Sequence, residues 1–188
     1  AEFLRAGDEP VYIGFGSMVS GDMGELAEII RQAVKLSGVR AVVALGWGQQ
    51  EAKTKDENIF YVKSVPHDWL FPHMAGAVHH GGAGTTATSL RHALPTLVVP
   101  FGGDQPFWAE RVYAAGCGPK AIPRDKLTAE NLAEGLRALI SNPEYTRNAA
   151  RIGETLRNEH GCANAADLIE KAVWDWENGN PAQDGMNI

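Results

Sequence analysis

Short apolar runs and longer amphipathic stretches take turns along this chain. Residues 10–15, Pro-Val-Tyr-Ile-Gly-Phe, form a β-rich apolar run ending near glycine, the pattern of a buried strand. Residues 23–37 then place Leu26, Ile29, Ile30, Ala33 and Val34 at helical spacing, and Gly38 follows as a stop signal. The alternation repeats. Strands are predicted at 40–45, 59–62, 76–79 and 96–99, the last opened by Pro95 and closed by Pro100. Helices are predicted at 85–92, 106–115, 128–140 and 143–158, with a further one at about 163–176 after a break at Gly161. Strands that alternate with helices and are apolar along their length imply an α/β fold, a Rossmann-like parallel sheet flanked by helices. The expected organisation is a lead-in over 1–9, one domain over 10–176 that includes the C-terminal helices, and a frayed tail over 177–188.

In sheets of this kind ligands bind beyond the carboxyl ends of the strands. That rule selects the loops after Phe15, Val62, His79 and Val99. The third carries the most information: Val78-His79-His80-Gly81-Gly82-Ala83-Gly84-Thr85-Thr86 runs from a strand through a glycine-rich turn into a helix. Glycines let a ligand approach the backbone closely, and the first helical N–H groups have no partner within the helix. With the helix dipole they form an anion site worth roughly half a positive charge. Thr85 and Thr86 are expected to cap this helix and to offer hydroxyls to phosphate oxygens. Side chains alternate along a strand, so His79 and His80 should face opposite ways. His80, beside the glycines, is the expected phosphate donor; His79 is expected as a hydrogen-bonded core residue.

Composition narrows the partner. The net charge of -6 argues against nucleic acid, which calls for a basic face, but not against a small phosphate ligand held by backbone amides. Cys117 and Cys162 lack CxxC spacing, so neither a disulfide framework nor a zinc site is expected, and a cytoplasmic setting fits. A metal set joining His67, His73, His79 and His80 has no acid or cysteine at a recognised spacing. No apolar run of membrane-spanning length occurs, and the stretch from Ala1 to Arg5 lacks the apolar core of a secretory signal.

The other loops add polar groups. Gly14-Phe15-Gly16-Ser17 offers a second flexible turn with a hydroxyl. Val65-Pro66-His67-Asp68-Trp69-Leu70-Phe71-Pro72 is stiffened by proline and offers backbone groups to a flat base, with Trp69 and Phe71 expected to pack the loop. Pro100-Phe101-Gly102-Gly103-Asp104-Gln105-Pro106 ends in an acid and an amide, a pair suited to sugar hydroxyls that both donate and accept. Asp104 could instead serve as a helix N-cap. A rival reading takes Gly82-Ala83-Gly84-Thr85-Thr86-Ala87 as a dinucleotide fingerprint with Asp104 as its acid. Its acid falls in a separate loop beyond Pro100 and not at the end of the next strand, which weighs against NAD.

These four motifs, in this order, resemble the UDP-glycosyltransferase superfamily, and most of all its sterol glucosyltransferase branch, over about residues 11–172. The resemblance implies the C-terminal, donor-binding half of a two-domain GT-B enzyme whose acceptor half lies elsewhere in a longer polypeptide. It implies an inverting transfer of a hexose, with UDP-glucose the first choice of donor, to a sterol, lipid or other apolar hydroxyl, and no cofactor. Gly16, Ser17, His80, Gly82, Ala83, Gly84, Thr85 and Thr86 would hold the diphosphate. Val65 and His67 belong to the loop that would meet the uracil, and Asp104 and Gln105 would read the sugar. The catalytic base would belong to the acceptor half, leaving this half able to bind donor but not to transfer it. Membrane contact would come only through the whole enzyme. Three positions depart from the pattern: Ser64 stands where many members carry a tryptophan, Thr88 where an acid often binds ribose, and Gly102 where the sterol branch usually has phenylalanine. Trp174 and Trp176 on the last helix are expected to face the other half. A non-catalytic nucleotide-sugar module remains the alternative.

Overall fold

A computed structural model describes residues 2–16, 23–44 and 56–179. Five parallel strands, β1 (Val11–Gly14), β2 (Ala41–Ala44), β3 (Ile59–Val62), β4 (Gly76–His79) and β5 (Thr96–Val98), form one sheet in the order β3-β2-β1-β4-β5. The register aligns Gly14 with His79 across β1 and β4. Chain order reverses between these two strands, so the crevice where such folds bind ligands opens at the ends of β1 and β4.

The helices follow the expected alternation. A short α1 (Glu2–Arg5) precedes the sheet, and α2 (Met23–Ser37) follows β1. After β3 come α3 (His67–Leu70) and a single 3-10 turn at Phe71–His73; α4 (Ala83–Arg91) follows β4 and α5 (Gln105–Ala114) follows β5. The chain then forms α6 (Ala129–Ser141), α7 (Pro143–Asn158) and α8 (Gly161–Glu177). It divides into two compact units, residues 1–156 and 157–188.

The first unit contains the sheet and its cores. Val11 and Ile13 point to one face, where Leu26, Ile30 and Val34 of α2 meet Leu132, Leu136 and Leu139 of α6. Tyr12 points to the other, with Val42, Leu70, Phe71, Met74, Ala77 and Leu94. Strand alternation thus buries both faces, as a parallel sheet requires. A third cluster joins Leu90, Val98, Ala109, Val112, Cys117 and Ala149 around β5, α4, α5 and α7. In the second unit α8 buries no residue, and Leu168, Ile169, Val173, Trp174 and Trp176 are all exposed. Among the described residues, no helix is long and apolar enough to cross a membrane.

One local device is complete. Thr128 caps α6 by accepting from the Asn131 amide, while Asn131 Oδ1 accepts from the Thr128 amide. Thr128→Ala is expected to cost about 1 kcal/mol of stability, read from the urea midpoint, since the cap satisfies an otherwise unpaired helix-start donor.

Candidate functional site

Where the crevice opens, the chain leaves β1 through Phe15 and Gly16, and leaves β4 through His80 and Gly81. Gly16 takes φ +61° and Gly81 φ +88°, the left-handed region that side chains rarely tolerate. The His80 ring lies between the two turns. A Cβ on Gly16 would come 3.6 Å from His80 Cε1, and one on Gly82 would come 2.5 Å from His80 Nε2. The structure therefore gathers Gly16, His80 and Gly82 at one point. Ser17 lies outside the described residues.

Helix α4 begins at Ala83, two residues earlier than the threonines suggest. Its N-cap is Gly82, with no side-chain cap bond, so Thr85 and Thr86 are first-turn residues and not caps. The first bond of the helix runs from the Thr86 amide to the Gly82 carbonyl at 2.9 Å, which leaves the amides of Ala83, Gly84 and Thr85 ahead of it. Thr86 is turned inward, 4% exposed, and its hydroxyl has no partner; Thr85 is the more open of the two.

His80 is half-buried, and its Nδ1 is enclosed without a partner. Burial lowers its pKa below the ordinary imidazole value, and the charge of Asp104 works in the opposite direction. That coupling also places Asp104 within electrostatic reach of the ring. Asp104 occupies the N-cap of α5 but makes no cap bond; its Oδ2 accepts from Trp108 Nε1 at 2.8 Å. The indole thus orients the carboxylate and leaves its other oxygen open. Gln105 is used differently from the simplest expectation. It is buried, and its Oε1 accepts from the amides of Phe101 (2.7 Å) and Gly102 (3.2 Å). Only its NH2 is left for a sugar, so the amide is a donor there and not a two-way partner.

The loop after β3 is held from below. Tyr12 Oη and His67 Nε2 are 3.1 Å apart and hydrogen-bonded. His67 stacks on Phe71 with ring centroids at 4.5 Å. The Tyr12 hydroxyl reaches this place by lying over Gly14, where an added Cβ would meet it at 2.2 Å. Burial pushes the Tyr12 phenol up to about 12, so it stays protonated. Gly14 was read as part of a flexible turn, but it ends β1, and the approach of Tyr12 over it was missed, although an aromatic two residues before a strand glycine is a readable sign of close approach on one face. Phe71 packs as expected, wholly buried, whereas Trp69 is 55% exposed and meets His73 edge-on. Val65 packs at the rim of the second core. No cluster of three metal-ligating side chains occurs among the described residues.

His79 is fully buried, and burial lowers its pKa to about 3, with the neighbouring histidines adding in the same direction. His67 and His80 are lowered as well, again first by burial. The folded state therefore binds fewer protons than the unfolded state once pH falls below about 6.5. Stability is expected to be full above that value and to fall as pH drops from about 6.5 towards 3, by up to about 1.4 kcal/mol per pH unit for His79, with the half-buried His67 and His80 acting in the same direction. Urea midpoints measured across this range will check it; midpoints flat from pH 7 to 4 would exclude the effect.

A second feature has no counterpart in the motifs. A cavity of about 770 Å³ runs beside α4, lined by Leu90, Trp108, Val112, Ala115, Ile152 and Leu156, and meets the glycine turn at Ala83 and Gly84.

Residues 28–170 match the family model described as erythromycin biosynthesis protein CIII-like, C-terminal domain. The chain belongs to this family. The chain is 43% identical over 171 residues to the sterol 3-beta-glucosyltransferase UGT80B1 of Arabidopsis thaliana, covering 90% of this chain and 28% of the relative. It is 42% identical over 180 residues to a sterol 3-beta-glucosyltransferase of Kluyveromyces lactis, covering 89% of this chain and 15% of that protein. The chain thus spans less than a third of these relatives. Among solved structures it resembles the glycotransferase of kitacinnamycin, with a TM-score of 0.75 and 25% identity over 89% of this chain and 44% of the other. The calicheamicin glycosyltransferase CalG4 gives a TM-score of 0.77 at 20% identity, over 90% of this chain and 44% of the other, which speaks for the fold alone. The CIII-like domain has the Rossmann-like fold found in the C-terminal half of GT-B glycosyltransferases, as the motif order implied.

Proposed function

We propose that this domain binds a UDP-sugar, with UDP-glucose the first choice, and forms the donor half of an inverting glycosyltransferase acting on a sterol, lipid or other apolar hydroxyl. One observation carries the reading: His80 is enclosed between two glycine turns at the topological switch point, directly before an uncapped helix start. Amides of Ala83, Gly84 and Thr85 would receive the diphosphate, and His80 would add a ring donor. Asp104, oriented by Trp108, would accept from sugar hydroxyls while the Gln105 NH2 donates to another. The names of the relatives support a sterol as acceptor.

In such a transfer negative charge grows on the departing UDP as the anomeric carbon is attacked. Dipoles already aimed at that phosphate need no rearrangement, and losing one such donor costs roughly 2.7–4 kcal/mol of transition-state stabilisation in comparable sites. Helix start and imidazole together supply this without calling on a metal. The base that deprotonates the acceptor would come from the other half of the enzyme, so these 188 residues should bind donor and transfer nothing.

Calorimetric titration with UDP, UDP-glucose and NAD tests the assignment. Binding of the uridine ligands with NAD silent is the expected result; NAD binding with UDP silent would overturn it. Acceptor-dependent turnover by this chain alone would refute the division of labour, and no turnover after restoring the acceptor half would favour a non-catalytic module. Asp104→Asn should remove most of the margin of UDP-glucose over UDP, because the carboxylate accepts where an amide accepts less strongly.

A further inference from the structure

We infer that His79 is a positioning residue for the glycine turn, with a role separate from that of its neighbour His80: its Nδ1 accepts the Gly81 amide and so fixes the direction in which the uncapped helix start points. As a statement about ligand binding, this rests on the diphosphate reading given under Proposed function.

The amide of Gly81 donates to His79 Nδ1 at 3.0 Å, wholly inside the protein. An accepting Nδ1 puts the ring proton on Nε2, and that nitrogen is buried without a partner. For the core alone this is a poor choice. A leucine would fill similar space in the same sheet face and bring no unpaired N–H with it. The histidine therefore answers a need that volume does not meet: a hydrogen-bond acceptor one side chain away from the turn.

The turn itself has little other latitude. At φ +88° Gly81 admits no side chain easily, and an added Cβ would stand 2.5 Å from Val98 Cγ1 and 3.2 Å from the Gln105 carbonyl. Its backbone is thus pressed against β5 and the first residue of α5. Gly82 leaves this clamp in extended conformation as the N-cap of α4. Walls on one side and the His79 bond on the other determine where the next amides face. The same clamp sets the spacing between the phosphate turn and the loop bearing Asp104, so His79 couples the two. The side chain does not reach the crevice, being fully buried, and touches no ligand in this role.

Two substitutions separate this role from packing. Asparagine places Oδ1 where the ring carried Nδ1 and keeps the acceptor; leucine keeps the bulk and loses it. In the full chain, His79→Asn should retain the UDP dissociation constant within about threefold, whereas His79→Leu should raise it by about tenfold or more. Urea unfolding of both variants provides the control, because leucine is expected to be at least as stable as asparagine at this apolar position. Affinity that simply follows stability, with leucine the better binder, would overturn the proposal. A second measurement is independent of ligand: protection of the Gly81 amide from hydrogen exchange should survive in His79→Asn and fall in His79→Leu. Equal protection in leucine and wild type would also overturn it. Should the wild type fail to bind UDP while Gly81 protection follows the acceptor, the diphosphate reading falls and the positioning of the turn stands.

Discussion

His80→Ala is expected to weaken binding of UDP and UDP-glucose by about 10- to 100-fold, the range for a lost hydrogen bond to a charged group. The imidazole lies between Gly16 and Gly82; the missing Cβ of Gly82 makes room for the ring, while Gly16 supplies the left-handed turn beside it. No other side chain described at the ends of β1 and β4 occupies that position, so alanine has no substitute at hand. Stability should change little, within about 1 kcal/mol, because the substitution also removes an enclosed nitrogen without a partner. Titration calorimetry on variant and wild type reads the first effect, and urea midpoints read the second. An unchanged dissociation constant would mean that the ring does not face the donor.

The largest effect on folding is expected at a glycine far from any motif. A Cβ at Gly118 would come 1.8 Å from the Thr96 carbonyl oxygen and 2.8 Å from its carbon. Both are backbone atoms of β5, which has no side chain to swing aside, and the amide of Thr96 is already committed to the Cys117 carbonyl at 2.9 Å. Gly118→Ala must therefore move a strand or break its edge, and a loss of about 3 kcal/mol or more is expected. Gly84 makes the contrast: nothing lies within 4 Å of a Cβ there, and alanine in that helical position should stabilise by roughly 0.5–1 kcal/mol. Equal urea midpoints for the two variants would contradict the packing argument.

The strands were readable because each is a short apolar run, most of them closed by glycine, proline or histidine and β3 by Lys63, and β3 and β4 have the predicted bounds. The ends of the helices were less so. A threonine hydroxyl can cap a helix start, which placed the start of α4 at Thr85; glycine ranks about equally as an N-cap, and in the fold Gly82 takes that place with backbone alone while Thr86 turns inward. The short α3 was hidden by its flanking prolines, which read as loop. Within the site, the placement of His80, the glycines and Asp104 at strand ends and helix starts was legible because each belongs to a single loop. What was not legible depends on side chains folding back: Gln105 onto Phe101 and Gly102, Trp108 onto Asp104, Tyr12 over Gly14 to His67. Such bonds leave no periodic trace, since they are set by the tertiary approach of loops.

The bare N-cap of α4 has a thermodynamic corollary. A helix whose first amides lack an internal acceptor is an incomplete helix, and on the proposed reading the nucleotide completes it from outside, as a capping side chain would from within. Donor and fold then share one equilibrium: at a hundred times its dissociation constant the ligand adds about 2.7 kcal/mol to global stability. The first amides of α4, held in place but without acceptors, should exchange readily with solvent in the free protein and gain protection under saturation, making this helix end a built-in reporter of how much donor is present.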